Sequence, residues 1–166
     1  MRLITLLALS SLSLTAAACA TAPAPSMPST SSGAPAPVEN YDWFLHQDGD
    51  EARLAYGLEE SDDLRIGLDC RRASGKLDLS AIAKAGASPE IHLESGGDTE
   101  RYPAQSEPSE LHDGLFLTAE ARTSEPVFQR FRSVGWLAVW HGQNRDAYAP
   151  HPGSIDRIER FFAFCG

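Results

Sequence analysis

The chain has little with which to cross a membrane, chelate a metal or attack a substrate. Its one extended apolar run, Leu3 to Leu14, is interrupted by Thr and Ser. That is shorter than the roughly 20 apolar residues a helix needs to span a bilayer, and no other run comes close. Cysteine is scarce, with three: Cys19, Cys70 and Cys165. None sits in a C-x-x-C pair, and the five histidines (His46, His92, His112, His141 and His151) are scattered without zinc-site spacing. The phosphate loop, G-x-S-x-G and H-E-x-x-H patterns are all missing. No catalytic residue, metal ligand or cofactor is therefore assigned. Basic residues are also few, 14 Lys+Arg against 23 Asp+Glu, for a formal net charge of −9. That sign opposes nucleic acid or an anionic membrane surface as partner and suits a well-solvated acidic surface.

What is present begins with an export pattern. Met1-Arg2 is a short positive region, the apolar run follows, and Thr15, Ala16, Ala17 and Ala18 lead to Cys19. This stretch resembles a bacterial lipobox, in which the cysteine after the cleavage point is lipidated. Ala16 occupies the position three before the cysteine where leucine is usual. The competing reading is ordinary signal cleavage, which would leave Cys19 as a free thiol. The resemblance implies a signal over residues 1–18, a lipid anchor at Cys19 and, because Ala20 rather than Asp follows, an outer-membrane lipoprotein facing the periplasm. A soluble periplasmic or secreted protein is the alternative.

Residues 19–38 then form a tether. Ala20 to Val38 carries no charge and five prolines, and holds almost nothing that packs. Extended at about 3.1 Å per residue, it would reach at most roughly 60 Å. Residues 39–166 remain as one domain of ordinary size. If Cys19 carries lipid, Cys70 and Cys165 form an even pair in an oxidising compartment, the expected disulfide.

The domain reads as short strands with turns between them. Leu64, Ile66, Leu68 and Cys70 alternate with Arg65, Gly67, Asp69 and Arg71, the period of a strand with one buried face. Ala73-Ser74-Gly75 turns, and Lys76 to Ile82 returns with Leu77, Leu79 and Ala81 on one face. Further strands are expected at Tyr41–Leu45, Ala52–Tyr56, Glu90–Ser95, Thr99–Ala104, Leu115–Ala121, Trp136–His141 and Arg145–Pro150. Gln105 to Gly114 reads as a polar loop. Two helices break the pattern. Ser124 is placed to cap the first, with Val127, Phe128, Phe131 and Val134 on one stripe and Gly135 ending it. Ser154 is placed to cap the second, with Ile155, Ile158, Phe162 and Cys165 on one face and Asp156 paired with Arg160. The expected fold is mainly β (α+β), an antiparallel sandwich or small barrel with two short helices, one at the C-terminus.

Two features raise the question of a ligand. The acidic run Asp48, Asp50, Glu51, Glu59, Glu60, Asp62 and Asp63, interrupted only by Arg53, reads as a solvated face; its spacing is not that of an EF-hand. Trp136 and Trp140 share one strand face, Leu137 and Val139 the other. Core packing accounts for this pattern. The alternative is an exposed aromatic platform of Trp136, Trp140 and Tyr148 for a glycan or another envelope protein.

The DDLRIGLDC stretch ending at Cys70 and the terminal SIDRIERFFAFCG, with the lipobox-like front, resemble small envelope proteins of proteobacteria. In these a strand cysteine and a terminal F-F-x-x-C recur. The resemblance implies export and a disulfide and carries no activity. The functional expectation is an anchored periplasmic binding or interaction module. An envelope hydrolase with an unrecognised site, or a purely structural envelope protein, are the alternatives.

Overall fold

A computed structural model describes residues 34–110 and 113–166. The export signal, Cys19, most of the tether and His112 lie outside the described residues. Ten strands and two helices follow in the order β1 Tyr41–Asp48, β2 Glu51–Leu58, β3 Leu64–Arg71, β4 Lys76–Ala83, β5 Glu90–Ser95, β6 Asp98–Pro103, β7 Gln105–Pro108, β8 Leu115–Arg122, α1 Pro126–Val134, β9 Leu137–His141, β10 Asn144–Tyr148 and α2 Ile155–Cys165.

The strands form two antiparallel sheets. One has six strands in the order β1-β2-β3-β4-β8-β7, the other four in the order β10-β9-β5-β6. Alternation within each strand sets which face is covered. Leu54 and Tyr56, Ile66 and Leu68, Leu77 and Leu79, and Leu117 all turn to one face of the large sheet. Ile91, Leu93, Leu137 and Val139 do so from the small sheet. Both sets join the buried aromatics of the helices in one core, so the expected sandwich with a C-terminal helix is the fold. Helix α1 packs on β5 and β6, and α2 on β1, β2 and β3. Trp43 sits at their meeting point, 4.8 Å from the Phe131 ring and 5.3 Å from Tyr56 between centroids.

The C-terminus is tied to the middle of the chain. Cys70 on β3 and Cys165 on α2 are at disulfide distance, with Cα atoms 5.8 Å apart. Backbone bonds lock the same corner: the Ala73 and Gly75 N–H groups donate to the Phe164 and Cys165 carbonyls. The Thr123 hydroxyl donates to the Gly166 carbonyl at 2.6 Å.

Four local expectations are corrected. Gln105–Pro108 is an edge strand rather than loop. Its side chains are all exposed, so it has no apolar alternation to read, and Pro108 at its end limits further pairing at the edge. Ser124 does not cap α1; Glu125 holds the N-cap in an extended conformation, and its carboxylate accepts the Tyr102 hydroxyl instead. Ser154 does sit at the N-cap of α2, but its hydroxyl donates to Asp42 on β1 and so fastens the helix to the sheet edge. Ile155 is 55% exposed, while Phe161 is buried in its place. As the first residue of α2, Ile155 leans over the Gly135 turn rather than into the core. Gly135 ends α1 as expected, at φ 80° with its N–H on the Phe131 carbonyl.

Candidate binding groove on the outer face of the large sheet

The outer face of the six-stranded sheet is built from the residues that alternate with the core. Register brings them into rows. One row, Ala55-Gly67-Ser80-Thr118-Gln105, runs across five strands and consists of short side chains apart from the last. On one side of it lies Arg53-Asp69-Asp78-Glu120. On the other lies Ile82-Phe116-Glu107, with Arg65 on β3 in line. Small residues between two rows of long ones make a trough. Ala55 and Ser80 are buried at its floor although no second layer of the described residues covers this face.

One cavity here measures about 640 Å³ and is lined by Arg53, Leu64, Gly67, Ile82, Pro108 and Phe116, among others. That volume lies in the range that holds small organic ligands. A second open cavity, of about 740 Å³, continues past Ser80 and Phe116 among Asp69, Asp78 and Glu120. Arg53 stands where the two meet.

Its placement depends on Gly67. A Cβ at that position would lie 2.6 Å from the Ser80 Oγ and 3.0 Å from the Arg53 Nη2. The missing side chain lets the guanidinium lie across the strand, over the floor. Among the described residues its one partner is Asp69, at 3.6 Å and without a hydrogen bond. Other arginines are held more firmly: Arg132 grips Glu159, and Arg145 grips Glu94, through two hydrogen bonds each. Burial, opposed by Arg53 and reinforced by Asp78 and Glu51, holds the Asp69 carboxyl above the usual range.

The aromatic platform does not form. Trp136 is buried, and Tyr148 points into the core from the opposite face of the small sheet, where it stacks on Tyr56 at 4.7 Å. Only Trp140 is half-exposed, and its Nε1–H donates to Glu94 at 2.7 Å. Glu94 also receives Arg145, whose guanidinium covers the Trp136 ring at 5.1 Å. Edge burial and internal ion pairing thus satisfy these side chains within the fold.

The acidic run spreads over β1, β2 and their following turns, and its members pair locally, as in Asp50 with Arg72 and Glu51 with Arg71. No group of three or more His, Cys, Asp or Glu that could hold a metal occurs among the described residues. The described histidines serve local contacts. His92 stacks on Trp140, His141 lies 3.7 Å from Asp146, and His151 bonds the Val38 carbonyl, while His46 lines a shallow cavity beside Asp69.

No protein-family model, curated protein or solved structure matches the chain. In the sequence Arg53 is an outward residue of the second strand and an interruption of the acidic run, with no role attached. Its signal was the coincidence of a strand arginine with a cross-strand glycine, and that is visible only once the β2–β3 register is known.

Proposed function

We propose that the protein is an exported binding module, anchored by lipid at Cys19 and held off the membrane by the 19–38 tether, whose ligand lies in the outer groove of the large sheet. The export-signal pattern, the lipobox resemblance and the expected tether support the location. The groove over Gly67, with its incompletely partnered Arg53, is the observation that carries the binding role. A sheet face that served only as surface would be filled by its own long side chains. Here a row of short ones runs between them, and among the described residues Arg53 over the floor meets Asp69 at 3.6 Å without a hydrogen bond.

Photo-crosslinking in intact cells tests this. A benzophenone side chain at Phe116, on the groove wall, is expected to capture a defined species that the same group at exposed Ser133 on α1 does not. Identical or empty capture at both positions would remove the groove as a binding site. Metabolic labelling with an alkyne fatty acid checks the anchor: Cys19→Ser should lose the label and leave the membrane fraction.

A further inference from the structure

Resting on the groove reading above, we propose that its ligand is a single-chain carboxylate, a free long-chain fatty acid, with the carboxylate on Arg53 and the acyl chain along Ile82, Phe116 and Leu64. The chemistry of the groove has two parts. The wall row supplies Ile82 and Phe116, and Leu64 and Pro108 extend the apolar surface. The floor supplies one guanidinium, whose planar fork matches a carboxylate with two parallel hydrogen bonds. Arg65 also borders the cavity but is held by the Tyr41 hydroxyl and Asp63, which leaves Arg53 as the guanidinium over the floor. An apolar trough with that one receptor suits an amphiphile with one charge.

The rim narrows the choice. Asp62, Glu107 and Glu110 border the same cavity. They repel a phosphate or any polyanion more than a single carboxylate. A cationic or neutral amphiphile would leave Arg53 unanswered. Among the described residues Asp69 is the carboxylate paired with Arg53, at 3.6 Å and without a hydrogen bond. A fatty-acid carboxylate would take the free donors and leave Asp69 as a second-rank partner.

The full chain carrying Cys19→Ser, which removes any covalent acyl group, is titrated with oleate carrying a ¹³C-labelled carboxyl. We expect saturable one-to-one binding and a bound carboxyl resonance distinct from free oleate. Arg53→Gln should weaken binding by roughly tenfold or more, the scale of about 1.4 kcal/mol. Oleyl alcohol should bind the parent as weakly as oleate binds Arg53→Gln, and Arg101→Gln on the small sheet should change nothing. Gly67→Val, which displaces the guanidinium, should match Arg53→Gln. Equal affinity of acid and alcohol, or oleate binding indifferent to Arg53, overturns the proposal. If Phe116 crosslinks a peptide or glycan while oleate fails to bind, the fatty acid is wrong and the groove stands. If Phe116 captures nothing and oleate fails, both readings fall.

Discussion

Two carboxylates on the two outer faces respond to pH with opposite sign. Glu94 receives Arg145 through two hydrogen bonds and the Trp140 indole through a third. Arg145 above all, and Trp140 with it, hold its carboxyl below the ordinary value against the effect of burial. Its contribution is therefore complete above the unfolded glutamate range and is lost as pH falls through the lower, folded value. Glu94→Gln should cost about 1–2 kcal/mol at neutral pH. Denaturant melts should show that difference shrinking toward zero in acid. Asp69 is the reverse case. Its carboxyl is held above the usual value, chiefly by burial, so the folded state takes up the proton first. Ionised Asp69 opposes the fold at neutral pH, and this penalty lifts as pH falls through its raised value. Asp69→Asn should thus stabilise slightly at pH 7, by under ~1 kcal/mol for so exposed a pair, and lose that advantage in acid. A neutral-pH loss of stability would show that the Arg53 contact outweighs the cost of burying the charge.

At the level of elements, the β3–β4 turn and the end of α2 behave as one joint. The disulfide spans 95 residues of sequence. The chain-entropy estimate for so long a loop is about 4–5 kcal/mol. Cys165→Ser should therefore lower the melting temperature sharply under oxidising conditions, and reductant should bring the parent down to the mutant. Equal melting of the two without reductant would mean that the bridge does not stabilise the domain. In the same joint Ala73 is held at φ 53°, a left-handed conformation that an L-residue adopts at a cost, because its N–H is committed to the Phe164 carbonyl. Ala73→Gly should relieve that strain and raise stability by up to about 1 kcal/mol, read by denaturant midpoint. The alternation of β3 and β4 was legible residue by residue. The edge strand Gln105–Pro108 was not, since a strand with both faces in water carries no hydrophobic period.

For the whole molecule, the charge of −9 and the local chemistry of the groove point in different directions. The net charge governs solubility and the approach of charged partners. Affinity in the groove is set within a few ångströms, where Arg53 meets Asp69 at 3.6 Å without a hydrogen bond and faces an apolar wall. Raising the ionic strength should therefore leave the apolar part of oleate binding intact while screening both the Arg53 attraction and the opposing repulsion of the acidic rim, so affinity should change by less than a few-fold between low and physiological salt. A steep loss would place the binding on the exposed charges instead. Lipid anchoring and the groove are separable by the same logic. Cys19→Ser should change where the protein resides without changing what its domain binds.

Period alone determined a good deal: the mainly β fold, most of its strands, and its two helices, one at the C-terminus. These are properties of short stretches, because a strand's period of two and a helix's stripe are written in neighbouring residues. Sequence also placed Trp136 and Trp140 on one face of their strand. The tertiary structure decided what that face meets. Tyr148, opposite Leu137 in the β9–β10 register, went to the core, and Arg145 closed over Trp136. It decided the groove as well. Ala55, Gly67, Ser80 and Thr118 come from four strands spread over more than sixty residues, and only strand order and register set them side by side. A row across a sheet is perpendicular to the chain, so no reading along the chain contains it.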